Sequence, residues 1–380
     1  NYAKYNKTFS IFAPLKHHQT NKSIFNFGMK NLFFLLLHCT FSASFFAQAP
    51  TSVWTPGNYK SFNGSTGTLT NDQIRSAIPV SDGGFLLAGV QIQPNGNGNI
   101  WLLKLNAAGA KVVERVYNQP NNVSAMSFIE TIVETDDGYV VVCQVNEGNT
   151  PKNRRFKVDK EELNLLEDTD QRTVGVGSSS VAMLSNGLIL MGSPGKGGGN
   201  NTAQLEVLNP QDLTTVTLLD NASKQTPEVW GRNIQRILPT PDGGCYLLGE
   251  DNVITGETGC TGTKGNIWVC RLNADLKPVW SRTYGGVTTD LFLDGELREG
   301  GNVVILGKTP CASGVTGPRG IGAGGWVMEL NQLGDILTVR SLRAFDSGTG
   351  NNQVLGLALL PGCPDALLLT GVETVSNNRI

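Results

Sequence analysis

Residues Ile234 to Gly286 decide the fold: IQRILPTPDGGCYLLGE (234–250), a Gly- and Thr-rich loop, then GNIWVCRLNADLKPVWSRTYGG (265–286). Pro241-Asp242-Gly243-Gly244 is a tight-turn signal between two apolar runs, because Asp braces such a turn with its side chain and Gly accepts positive φ. Cys245, Tyr246, Leu247 and Leu248 are consecutively apolar and stopped by Gly249, which suits a strand covered on both faces. Ile267 to Leu272 reads the same way, and Asn273 to Pro278 reads as the next turn before Val279, Trp280 and Tyr284. Four strands fit the unit: Ile234 to Leu238, Cys245 to Leu248, Ile267 to Leu272 and Val279 to Tyr284.

The unit recurs about six times. IRSAIPVSDGGFLLAG from Ile74 with GNIWLLKLNAAGAKVVERVY from Gly98 forms one copy, with Trp101 in the place of Trp268. FIETIVETDDGYVVVC from Phe128 with RRFKVDKEELNLLED from Arg154 is a weaker copy, with Phe156 near the tryptophan position. VAMLSNGLILMG with AQLEVLNPQDLTTVTLL follows, and after the reference unit come LREGGNVVILG with GGWVMELNQLGDILTVRSL around Trp326. LALLPGCPDALLLTG ends the series. The strand-closing glycines Gly192, Gly249, Gly307 and Gly371 are 57, 58 and 64 residues apart. A period in the fifties, in units that cannot bury both faces alone, predicts an all-β fold: a β-propeller of four-stranded blades, about six visible and six to eight in the full protein. Asp159 to Asp168 reads as a solvated turn and outer strand.

The first residues read differently. Residues 1–28 are expected to be an upstream, non-native or disordered segment. Met29-Lys30-Asn31, LFFLLL and small residues at Ala47 and Ala49 predict a secretory signal peptide over 29–49, leaving the propeller to 50–380. The apolar run is too short for a comfortable membrane span of about 20 residues, so no membrane insertion of the mature domain is expected. Val53 to Tyr59 resembles a fourth strand, and the sixth unit offers only two. The chain therefore reads as C-terminally truncated, with the N-terminal strand completing the last blade.

All five charges of residues 1–49 are basic; removing them from the 30 basic residues leaves 25 against 32 acidic ones, a net charge of −7. Nucleic acid is a poor partner for such a domain. The three histidines, His17, His18 and His38, leave with the same segment. Without histidine, Ser-His-Asp and Cys-His mechanisms and the usual zinc sites are excluded. No cofactor, metal site or catalytic residue is assigned. Trp101, Trp268 and Trp326 read as blade packing, and Asp82, Asp137 and Asp242 as turn braces. Glu167, Asp168 and Asp170 lack the glycine and distal glutamate of an EF-hand. The Gly-rich stretch around Lys196 lacks the order of a phosphate loop.

The pattern "DGGyllaG … nxWllkLnxxGxxxWxxxy" resembles the repeats of secreted, often surface-attached propeller proteins of Bacteroidetes-type bacteria, over nearly all of Val53 to Ile380. The resemblance implies a secreted or outer-surface protein and, by the resemblance alone, export by type IX secretion. The second-to-third-strand loops are long in two adjacent units, Glu250 to Lys264 and Lys308 to Gly324, and long loops on a rigid scaffold are where binding concentrates. Thr261, Thr263, Lys264, Lys308, Thr309 and Arg319 are the candidate binding residues. Cys260 and Cys311 lie in corresponding loops and form the candidate disulfide, with Cys143, Cys245 and Cys270 expected buried and free. The expected function is a binding or scaffolding module for protein or glycan; the alternative is an extracellular glycosidase- or lyase-type enzyme using Asp/Glu pairs. The channel-lining first strands offer Ile74, Arg75, Ile129, Glu130, Ile234, Gln235 and Arg236, so acid pairs look scarce on them.

Overall fold

The computed structural model describes residues 6–14, 73–92, 98–117, 128–147, 150–170, 180–193, 203–219, 231, 233–251, 266–285, 290–309, 324–342, 353–359 and 366–374. Five four-stranded antiparallel sheets follow one another along the chain, each in simple meander order. We number these blades one (73–117), two (128–170), three (180–219), four (236–284) and five (291–341). Blade four is built from Arg236–Pro239, Cys245–Glu250, Ile267–Leu272 and Pro278–Tyr284. These match the four strands read from the sequence to within two residues. The first strands pack on one another in chain order, blade by blade, and this is the arrangement of a β-propeller.

A sixth sheet contains Gln353–Leu359 and Ala366–Thr374, and its third strand is Asn6–Pro14. That strand pairs antiparallel with Ala366–Thr374 along its whole length. A segment expected to stand outside the fold thus supplies an edge strand, because the backbone of Ala366–Thr374 offers an unpaired ladder that a β-prone NKTFSIFAP stretch satisfies. Val53 to Tyr59, the strand expected there, lies outside the described residues.

The core lies between blades. Leu238, Tyr246 and Leu248 of blade four meet Val303, Ile305, Trp326 and Met328 of blade five, while Ile237, Leu247 and Cys270 on the opposite face meet Leu190, Leu205 and Val207 of blade three. Consecutively apolar strands follow directly: alternate residues serve different neighbours, so both faces must be apolar. Trp101, Trp268 and Trp326 are 2%, 0% and 0% exposed, so the packing reading holds. Trp326 lies over Gly307, where a β-carbon would run into the indole.

Register corrects two alignments. Arg154, not Phe156, takes the tryptophan position of blade two, since Cys143 pairs with Arg154 as Gly249 pairs with Trp268. Gly192 pairs with Leu205 and corresponds to Leu248, so the glycine spacing around blade three was one residue out of phase.

The turn between third and fourth strands is also repeated. Asn106, Asn273 and Asn331 each accept two backbone amides on Oδ1, closing the turn from its first residue. Its left-handed residue is Gly109 in blade one and Gly334 in blade five, but Leu163, Leu213 and Leu276 in blades two to four. A leucine there costs about 1–2 kcal/mol. Burying its side chain contributes about 1.5–3 kcal/mol, and Leu163 and Leu213 are buried to 0% and 1% exposure, so packing wins.

Candidate functional site

The two ends of each blade are chemically unlike. At the first hairpin, Asp82, Asp137 and Asp242 are held by third-strand cations: Lys104–Asp82 at 2.8 Å, Lys157–Asp137 at 2.8 Å and Arg271–Asp242 at 2.6 Å. Each cation emerges from a buried stem while its carboxylate stays exposed. Lys104 also donates to the carbonyl of Lys160, and Lys157 to that of Pro210, tying each blade to the next turn. The aspartates are turn braces as expected, and they are also ion-pair partners. The cation Nζ on Asp82 and Asp137 holds both carboxyls below the ordinary range; at Asp242 the Thr240 hydroxyl leads, with Arg271 adding to it.

Blade three has Asn186 in the turn and Val207 on the strand, and so carries no such pair. Blade five reverses the sign: Arg298 stands at the hairpin start and Glu329 on the third strand, 3.7 Å apart. A separate pair, Arg155 and Glu206 at 3.0 Å, is buried between blades two and three, with Thr215 donating to the same carboxylate at 2.6 Å. These groups are committed to structure.

The other charged cluster sits on the first strands of blades four and five. Each first strand carries a register shift near its start in blades one, two and five and in the sixth sheet. The residue after it occupies an equivalent seat: Ser76, Thr131, Ser180, Arg236, Asp294 and Gly356. Ser180 Oγ accepts the amide of Ile237 in the next blade at 3.0 Å, and Asp294 Oδ2 accepts that of Leu357 at 2.9 Å. In blades three and five the seat therefore serves as an inter-blade acceptor. Asp294 Oδ1 is used as well, by the Gly295 amide at 2.8 Å.

Arg236 has no acceptor to offer, and it reaches into blade five instead. Its Nη2 donates to Glu296 Oε1 at 2.9 Å, and its Nε lies 3.8 Å from Asp294 Oδ1. Side-chain exposures of 41%, 21% and 28% for Arg236, Asp294 and Glu296 keep the cluster in contact with solvent. Burial pushes the Glu296 carboxyl above the ordinary range; Arg236 opposes that shift and Asp294 adds to it. Among the described residues, Glu296 Oε2 and Arg236 Nη1 have no hydrogen-bond partner.

Sequence reasoning found Arg236 and missed Asp294 and Glu296, because the fifth copy was started at Leu297. The signal was available: the turn at 298–302 needs a preceding strand, as the turn at 240–244 does, and six residues back lies LFLDGEL. Among the expected binding residues, Lys308 is half-buried near the end of its strand. Thr309 leaves the rim set: it is 0% exposed, its hydroxyl donates to the fully buried Asp290 at 2.5 Å, and it accepts Trp326 Nε1–H at 3.1 Å. Thr261, Thr263, Lys264 and Arg319, with the disulfide candidates Cys260 and Cys311, lie outside the described residues. Cys143, Cys245 and Cys270 are buried free thiols. Burial pushes Cys245 up to about 12, which leaves it protonated and inert at neutral pH.

No family model matches the chain. No curated protein matches it either. Among solved structures, the chain is similar to Sqt1 of Chaetomium thermophilum at 13% identity, covering 80% of this chain and 70% of that one, with a TM-score of 0.45. It is similar to a protein of unknown function from Dyadobacter fermentans at 13% identity, 80% and 77% coverage and a TM-score of 0.40. It is also similar to CoXyl43, a family 43 β-xylosidase/α-arabinofuranosidase from a compost microbial metagenome, at 11% identity, 71% and 95% coverage and a TM-score of 0.39.

Proposed function

We propose that this chain is a binding or scaffolding module for glycan or protein, acting in the secreted space or at the outer cell surface. One observation carries the choice of binding over catalysis. The two carboxylates of this cluster are not equivalent: Asp294 accepts one backbone amide on each oxygen, while Glu296 keeps one oxygen without a partner beside a guanidinium nitrogen without one. An open acceptor beside an open donor suits recognition of a polar ligand. Glycoside hydrolysis needs two working carboxyl groups, and both oxygens of Asp294 are already engaged by backbone amides that tie it into the fold.

Export is supported by the basic start, apolar run and small residues of 29–49. No helix among the described residues is long and apolar enough to cross a membrane. Lys308, and Thr261, Thr263, Lys264 and Arg319 on the long loops, complete the proposed contact surface. Screening the full chain against immobilised glycans, with co-precipitation from extracellular fractions for protein partners, tests the reading. It fails if neither yields a saturable ligand.

The enzyme reading keeps one observation in its favour. Glu296 has its carboxyl raised by burial beside a second carboxylate, the asymmetry that general acids share. Assays for new reducing ends or for unsaturated sugar products decide it. Turnover that disappears in E296Q would replace binding with catalysis.

A further inference from the structure

We infer that Arg236 and Glu296 form the polar clamp of this binding module and that the group they hold is a vicinal diol of a saccharide. The inference rests on the glycan arm of the reading above and gives it a place. The two side chains come from neighbouring first strands, Arg236–Pro239 and Leu291–Leu297, and are fixed to each other by the 2.9 Å bond between Nη2 and Oε1. That bond consumes one nitrogen and one oxygen. It leaves Nη1 as a donor and Oε2 as an acceptor, neither with a hydrogen-bond partner among the described residues, on side chains 41% and 28% exposed.

A ligand filling both positions must present an acceptor and a donor side by side. Two adjacent hydroxyls do so, one accepting from Nη1 and the other donating to Oε2. Both new bonds involve an ionised partner and are of the stronger kind. A peptide amide also offers one donor and one acceptor, but peptide recognition leans on apolar anchors in pockets. The equivalent seats on the other first strands are Ser76, Thr131, Ser180 and Gly356, three hydroxyls and a glycine. None of these is an apolar anchor; Ser180 is buried and committed to the Ile237 amide, while the half-buried Ser76 and Thr131 match further sugar hydroxyls.

Asp294 is a positioning residue in this arrangement. It fastens blade five to the sixth sheet through the Leu357 amide, and its charge 3.8 Å from Arg236 Nε holds the guanidinium against blade five. The recurring seat explains why the site is local: only blades four and five of the six sheets carry charge there.

The experiment uses the full chain and the glycans that the array identifies, measured by calorimetric titration against wild type, E296A, E296Q and R236K. A charged hydrogen-bond partner accounts for about tenfold or more in affinity. E296A is therefore expected to weaken every saccharide at least tenfold, and R236K, which keeps charge but loses the planar fork, to weaken it by a smaller factor. Matched ligands with one hydroxyl of the diol removed should lose their sensitivity to E296A, a readout that a merely structural effect would not give. If E296A unfolds, E296Q, which keeps the shape, carries the test. Glycan affinity unchanged in E296Q and R236K overturns the clamp while leaving the module reading intact. An array without hits removes the glycan arm itself. A protein partner lost in E296Q overturns the diol assignment and makes the clamp a peptide reader.

Discussion

Blades four and five solve the same problem with opposite signs. In blade four the hairpin gives the anion and the strand the cation: Asp242 is 65% exposed and Arg271 only 10%. In blade five the hairpin gives the cation and the strand the anion, Arg298 with Glu329, both below a tenth exposed. Blade three does without a pair, with Asn186 and Val207 at those positions. What repeats is a polar link between hairpin and third strand, and the residues that make it are exchangeable. The cost is not the same. Arg271 leaves its partner in water and adds bonds to the carbonyls of Cys245 and Leu272 and a stack 4.9 Å from the Tyr246 ring. Arg298 and Glu329 are both desolvated, so that pair stands closer to break-even.

The largest effect should come from the most buried pair. Replacing Arg155 by Met strands Glu206 without its cation between blades two and three, and should cost about 3–5 kcal/mol in urea denaturation. The double replacement R155M/E206M should recover most of that loss. A single replacement costing under about 1 kcal/mol would show that water already reaches the pair.

Exchange of sign gives the second test. R271E puts a carboxylate beside Asp242 and should cost about 2–3 kcal/mol, from the lost charged bonds. Adding T240R and D242G rebuilds the blade-five arrangement in blade four and should restore half or more of the loss. No recovery would mean that the sign is fixed by each blade's surroundings.

Acid separates the blades as well. Asp82, Asp137 and Asp242 have folded pKa values below their unfolded ones. Their stabilisation is therefore complete above the unfolded value, about 4, and is lost as pH falls through the folded value. D242N should lower stability modestly at neutral pH, where the charged Asp242 contributes, and flatten the acid limb below about pH 4, because the variant has already lost what the wild type loses on acidification. An acid limb of unchanged slope would assign acid sensitivity to other carboxylates.

The smallest effect is expected at Arg282–Asp335, a pair that also crosses from blade four to blade five but lies 45% and 59% exposed. R282A should shift stability by less than about 0.5 kcal/mol. A larger loss would mean that its position over the Trp280 ring, 5.7 Å from the centroid, matters more than the ion pair.

Strand identity was legible because turn chemistry and apolar runs are local: PDGG, SDGG and NADLK announce their hairpins whatever lies across the blade. The tryptophan position could be misassigned in blade two because phenylalanine looks like the residue being sought. Register gives the place to Arg154, whose guanidinium does what the indole N–H does elsewhere. Arg154 donates to Asp168, as Trp101 donates to Glu114 and Trp268 to Ser281 at corresponding places on the fourth strand. Such equivalence is one of direction and distance, which no hydrophobicity pattern encodes. The cluster at Arg236, Asp294 and Glu296 was hidden for a related reason. Its members lie 58 and 60 residues apart in sequence and meet only because adjacent first strands do.

Two tyrosines carry a consequence for alkaline solution. Tyr117 of blade one donates its hydroxyl to the Leu163 carbonyl of blade two at 2.5 Å, and Tyr284 of blade four to the Gly334 carbonyl of blade five at 2.6 Å. Burial raises both phenols, Tyr284 to about 12. A phenolate has no proton to give and would face a carbonyl oxygen across each joint. The phenols thus hold their joints fully below the ordinary tyrosine value near 10 and release them as pH climbs toward the raised one. A ring of near-identical wedges has no obvious place to split, yet these two hydroxyls mark seams, between the first and second wedges and between the fourth and fifth, where alkali would open it.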